Sequence, residues 1–133
     1  MTNRYDKVME NFKKGYNCAQ SVACAYADLY NVEEKDAFRA TECFGRGMGM
    51  MGPCGAVSAM AYLVGLKVSD GNLDAPNSKL ACYDTLAPMT QEFLDKNKSI
   101  NCRELKGLDT GVMLRSCPGC MQDAAAIIEK NLL

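Results

Sequence analysis

Between Gly45 and Gly55 the chain reads Gly-Arg-Gly-Met-Gly-Met-Met-Gly-Pro-Cys-Gly, five glycines in eleven residues. Glycine loses more backbone freedom on ordering than any other residue and readily turns left-handed, so neither a helix nor a strand continues through such a run. The segment is predicted to be a tight loop with exposed backbone amides. The next stretch has the opposite character. From Cys54 to Lys67 the residues Ala56, Val57, Ala59, Met60, Ala61, Leu63 and Val64 leave almost no polar face, the mark of a helix buried on all sides. Pro53 suits its first helical position, where a missing N–H costs nothing. Other elements must wrap around this helix.

The flanking sequence supplies helices. Tyr5, Val8, Met9 and Phe12 recur at i, i+3, i+4 and i+7, and Gly15 is placed to stop the helix they define. Asn17 can N-cap a second helix whose inner stripe is Cys18, Val22, Ala25, Tyr26 and Leu29. A third, shorter helix is predicted from Val32 to Cys43, capped at Asn31, with Glu33, Glu34 and Asp36 at its positive end. After the polar turn Ser69 to Pro76, Asn77 or Ser78 caps a long helix to Asn97, which Pro88 is expected to kink or divide. Ser99 to Asp109 holds a short helical turn at most. After a Cys117-Pro-Gly-Cys120 corner, Met121, Ala124, Ala125, Ile128 and Leu132 mark a terminal helix. No segment alternates like a strand and nothing repeats. The fold class is all-α, a single domain over residues 1–133 with about five to six helices.

Composition narrows the chemistry. The chain has no histidine, which removes Ser-His-Asp and Cys-His nucleophilic sites, Cys₂His₂ zinc fingers and Cys-x-x-Cys-His haem attachment. Its formal charge of −1 offers no field for nucleic acid or an anionic membrane. The stretch from Met1 to Gln20 mixes charged with apolar residues and contains no secretory h-region, and no apolar run reaches the length of a membrane span. The expected location is the cytoplasm. There, eight cysteines point to metal binding or redox chemistry rather than permanent cross-links.

Four of the cysteines fall at element ends: Cys18, Cys54, Cys102 and Cys117. Amides and the macrodipole at a helix start favour a thiolate, which makes the sulfur a better ligand and nucleophile. Cys24 and Cys82 fall inside helices as small buried hydrophobes, and Cys43, just before the glycine loop, is open to either role.

Five ordered segments resemble a known family: Tyr16-Asn17-Cys18-Ala19-Gln20-Ser21-Val22, Gly45-Arg46-Gly47-Met48-Gly49, Cys54-Gly55-Ala56-Val57-Ser58, Cys102-Arg103-Glu104-Leu105 with Gly107 and Asp109, and Arg115-Ser116-Cys117-Pro118. Together they are similar to the signatures of the C-GCAxxG-C-C family of redox-active proteins, related to the iron–sulfur part of split-Soret cytochromes. By position, the resemblance implies that Cys18, Cys54, Cys102 and Cys117 are the family's defining cysteines in a small helical protein. Ala59 stands where the family's motif ends in glycine, a change that bears on helix approach and removes no ligand.

Three chemistries use such cysteines without histidine. An iron–sulfur cluster is commonly held by four thiolates, and amides of the glycine loop, at Gly49, Gly52 and Gly55, can donate to its sulfides. A thiol–disulfide cycle would use Cys117 and Cys120, with Arg115 nearby. A structural zinc site would take four thiolates, although only one Cys-x-x-Cys pair is present; a site with no cofactor is the remaining alternative. The partners such chemistry calls for are a second copy of the chain or a neighbouring oxidoreductase. Gly47 to Gly52 matches G-x-G-x-x-G, but no strand precedes it, which argues against a dinucleotide. Met48, Met50 and Met51 read as gap-fillers before they read as a soft copper site with Cys54. Arg103, Glu104 and Arg115 can act on neighbouring thiolates or form ordinary exposed ion pairs, and Asp109 can close the loop after Gly107.

Overall fold

The structure, a computed structural model, describes residues 4–133. The first three positions of the stretch read for a secretory leader lie outside it. The all-α expectation holds: the described residues form α1 (Tyr5–Lys13), α2 (Cys18–Tyr26), α3 (Glu34–Thr41), α4 (Gly55–Val68), α5 (Lys79–Asn97), α6 (Cys102–Leu105) and α7 (Cys117–Asn131), with 3₁₀ turns at Ala27–Tyr30 and Glu42–Phe44. No helix among them is long and apolar enough to cross a membrane.

The central helix is the one its composition predicts. Ala56, Val57, Ala59, Met60, Leu63 and Val64 of α4 are buried, in one core with Val22 and Tyr26 of α2, Phe93 of α5 and Met121 and Ile128 of α7. α2 and α4 share the largest helix interface, and α5 and α7 close the remaining sides. Asn17 starts α2 as expected and does so by a full capping box. Its Oδ1 accepts from the Gln20 amide at 2.9 Å, and Gln20 Oε1 accepts from the Asn17 amide at 3.0 Å, satisfying two donors that a helix start otherwise leaves open.

Local boundaries differ in several places. α2 ends at Tyr26, so Leu29 falls in the following 3₁₀ turn and is exposed rather than part of the inner stripe, and α3 ends at Thr41, ahead of Cys43. Pro53 is not the first residue of α4 but stands two positions before it, paired with Asn101 in an isolated antiparallel bridge. Asn31 does not cap α3; it turns left-handed at the end of the preceding 3₁₀ turn, and Glu33 takes the cap position. Pro88 does not divide α5, which runs unbroken from Lys79 to Asn97 with the proline on its exposed side; the ladder hydrogen bond that a proline cannot donate is lost without ending the helix. Cys117 to Cys120 is no corner but the first turn of α7, because Ser116 caps it, Oγ accepting from the Gly119 amide at 3.1 Å, and Pro118 is tolerated within that turn. The glycine segment is a loop, as expected. Arg46, Gly47, Met48, Gly49 and Met51 have positive φ, and the turn is closed by the Gly52 amide donating to Gly47 carbonyl oxygen at 3.0 Å.

Candidate functional site

Each of the four predicted cysteines opens a different helix. Cys18 is the first residue of α2, Cys54 caps α4, Cys102 begins α6 and Cys117 begins α7. The bundle brings these helix starts to one place: Cys18, Cys54, Cys102, Cys117 and Cys120 line a single cavity of about 20 Å³ with Gly55, Leu105, Lys106 and Arg115. That volume holds about one water molecule.

Backbone geometry fixes the position of each sulfur. The Cys54 amide donates to Ile100 carbonyl oxygen at 2.7 Å and the Cys102 amide to Gly52 carbonyl oxygen at 2.6 Å, so the bridge at Pro53 and Asn101 clamps Cys54 and Cys102 side by side. Gly55 makes room for Cys18. A β-carbon there would stand 2.6 Å from Cys18 Sγ, 3.1 Å from Phe44 carbonyl oxygen and 3.2 Å from the Ala19 amide nitrogen. Gly119 does the same for Arg115, whose Nε would be 2.5 Å from an added β-carbon. The guanidinium passes over that glycine to Asp123, Nε donating to Oδ2 at 3.0 Å and the terminal nitrogen to Oδ1 at 3.1 Å.

The thiols are not equivalent. Hydrogen bonding from the Cys120 side, helped by the Ala56 and Val57 amides and by the positive charge of Lys106, outweighs burial and holds the Cys54 thiol below the usual thiol range. The same bond, with burial added, pushes the Cys120 thiol far up. Burial lifts Cys18 to about 11, the charges of Cys54, Cys117 and Cys102 add to this, and the Ala19 amide pulls the other way. Burial raises Cys102 too, against the pull of Lys106. In the reduced protein at pH 7, thiolate absorbance in the ultraviolet should therefore exceed the few per cent that an unperturbed thiol contributes, with Cys54 as its source. Cys54→Ser should remove that signal and Cys120→Ala should move its midpoint upward, since a buried thiolate that loses its donor keeps the desolvation cost.

The remaining predicted residues stand elsewhere. Gly49 and Gly52 do not line the cavity; Gly49 is exposed, and the Gly52 amide is taken by Gly47, so the amides that face sulfur belong to Ala19, Ala56 and Val57 instead. The loop reaches the site through Met51, whose Sδ lies 4.0 Å from Cys102 Sγ. Cys43 is exposed, Cys24 is buried in α2 and Cys82 is half-buried in α5, none of them on the cavity. Arg103 pairs with Asp109 in an exposed two-point ion pair at 2.7 and 2.8 Å, the ordinary alternative. Lys106 went unread in the sequence, although its spacing of four from Cys102 already places both on one face of a helical turn.

No three Cys, Asp or Glu side chains among the described residues are grouped to hold a metal ion. The family described as "Putative redox-active protein (C_GCAxxG_C_C)" matches residues 16–131 of the chain. No curated protein matches it, and no solved structure does.

Proposed function

The chain belongs to this C_GCAxxG_C_C family of redox-active proteins, and on that premise we propose that the cysteine cavity is its redox centre, an iron–sulfur cluster or other metal–thiolate group held by Cys18, Cys54, Cys102 and Cys117. The observation that carries this reading is the delivery of four thiols, from four separate helix starts, to one cavity.

The donor set fits such a group in kind. Thiolates are the ligands that clusters take, and amides aimed at ligand sulfur stabilise the bound thiolate and raise the reduction potential; the Ala19, Ala56 and Val57 amides and Lys106 stand ready for that. A single zinc ion would draw on the same four thiolates, and metal analysis separates the two. Cavity size adds a requirement: with room for about one water, the cysteine side chains must turn outward on loading. When bound, the group supplies one-electron transfer at a potential set by its charge, hydrogen bonds and burial. The chain's own part is to exclude water, hold the thiolates at fixed helix ends and present them in the cytoplasm to a neighbouring oxidoreductase or a second copy.

Anaerobic purification followed by iron, zinc and acid-labile sulfide analysis tests this. Iron with sulfide and a broad visible absorption are expected, with both contents cut several-fold by serine at 18, 54, 102 or 117 and unchanged by serine at 24, 43 or 82. Zinc alone, or no metal after an attempted reconstitution, overturns the reading.

A further inference from the structure

Three methionines of the glycine loop stand outside the core that Met60, Met89 and Met121 fill. Met48 and Met50 are 55% and 86% exposed, whereas Met51 is half-buried and turns inward. Its Sδ lies 4.0 Å from Cys102 Sγ, within packing contact, and Cys102 is only 8% exposed. The loop packs on α6 and is tied to it just past Met51, where the Cys102 amide donates to Gly52 carbonyl oxygen at 2.6 Å. Met51 is held there under strain. Its φ is +61°, a left-handed conformation in which the β-carbon crowds the following carbonyl and which few residues other than glycine adopt. Such a conformation persists only while the contacts around it hold it in place. A thioether is also the side chain that one added oxygen changes most simply, from an apolar sulfur to a polar sulfoxide. At contact distance from Cys102 there is no room for that oxygen, and water is on the other side.

We propose that Met51 is a reversible modification site, oxidised by hydroperoxides to the sulfoxide, and that the oxidation lifts it from Cys102 and uncovers that thiol. Sδ attacks one oxygen of the hydroperoxide and the O–O bond breaks. The proton on the transferred oxygen passes to the departing hydroxide or alkoxide, which leaves as water or alcohol. The sulfur has given two electrons and the peroxide has taken them. A methionine sulfoxide reductase reverses the change. The same oxygen added to Met48 or Met50 meets solvent, so the switch resides in one sulfur of the three. Once uncovered, Cys102 is open to water and chelators. That consequence for the centre rests on the reading given above; the modification does not.

The test uses the full chain, reduced and freed of metal by a chelator, then treated with hydrogen peroxide and afterwards with a thiol reductant. The reductant returns disulfides and sulfenic acids to thiols and leaves methionine sulfoxide. Alkylation by iodoacetamide is then timed. Digestion after Lys and Arg isolates Cys102 as the one cysteine of peptide 99–103 and Cys82 as that of 80–96, while fragmentation of 47–67 places the added oxygen among its methionines. Cys102 should react several-fold faster after oxidation, with Cys82 unchanged, and a methionine sulfoxide reductase should restore the slow rate. Met51→Leu keeps an apolar cover without an oxidisable sulfur, so its slow rate should ignore peroxide. Met51→Gln puts a polar group there and should be fast without peroxide. A chain carrying both Met48→Leu and Met50→Leu should behave as wild type. An unchanged Cys102 rate with Met51 sulfoxide present overturns the proposal. So does a response that survives in Met51→Leu, an equal rise at Cys82, which marks general unfolding, or a Met51 that stays unoxidised while Met48 and Met50 carry oxygen. Iron is read separately on reconstituted protein, from which a chelator should strip it several-fold faster in Met51→Gln than in Met51→Leu. Equal rates overturn the consequence for the centre alone, and no iron in any form overturns the reading of the centre.

Discussion

Alanine at position 55 is expected to destabilise the protein by about 1–3 kcal/mol and to remove iron binding, through one added methyl group. Overpacking a filled core has that cost because neighbours must leave their minima, and here two of the three nearest atoms are backbone, Phe44 carbonyl oxygen and the Ala19 amide nitrogen, which cannot rotate away. The third, Cys18 Sγ at 2.6 Å, can move only out of its place on the cavity. Urea unfolding of Gly55→Ala gives the stability, and iron and sulfide content give the site. Cys18→Ala in the same chain should restore part of the lost stability without restoring iron, because the sulfur is the most crowded neighbour, and the double-mutant cycle should show coupling. Additive losses would mean that the methyl group acts elsewhere.

Asp123→Ala should cost about 3 kcal/mol, the loss expected when a buried charge pair is broken from one side. The carboxylate is 3% exposed and accepts from Lys96 at 2.5 Å, Asn97 at 3.0 Å and both arms of Arg115. Removing it strands the others; the half-exposed Lys96 recovers by turning to water, but Asn97 and Arg115 are held in place by the chain around them. Burial alone would raise the Asp123 carboxyl, yet the three partners outweigh it and hold it below the usual carboxylate range. A carboxyl depressed on folding stabilises the protein above its unfolded value and loses that contribution as the pH falls through its folded one. Acid unfolding of Asp123→Asn should accordingly be shallower than that of wild type, and an unchanged acid limb would refute the role. Arg115 also lines the cysteine cavity, so the same substitution should loosen the Cys117 turn and lower iron retention.

How far the sequence discloses this molecule depends on whether a feature is local. The apolar run from Val57 to Val64, the capping pair Asn17 and Gln20 and the stripe from Val8 to Phe12 are each decided within a few residues, and helix class and order result from them. The four helix-end cysteines are legible for the same reason: an N-terminal position is a local property, and the motif match says that they belong together. Distances through space carry no such mark. That Cys120 shares a cavity with Cys54 depends on how α7 lies against α4, and that Gly52 is spent on Gly47 depends on a closed loop of left-handed residues. Pro53 misleads because a proline before an apolar run serves a helix start and a bridge equally well, and Asn101, its partner, lies far along the chain. The glycine at 55 reads as the end of a tight glycine loop offering its amide, while its structural reason is a sulfur on another helix.

Because that bridge joins positions roughly fifty residues apart, closing it costs chain entropy that only later contacts return. The amide of Cys54 has no carbonyl to meet until Ile100 has been made, and Cys117 and Cys120 come later still. A chain emerging from the ribosome therefore carries isolated thiols until α7 has been made and docks, and the shared cavity forms only then. Whatever occupies that cavity has to enter after the four helix starts have met.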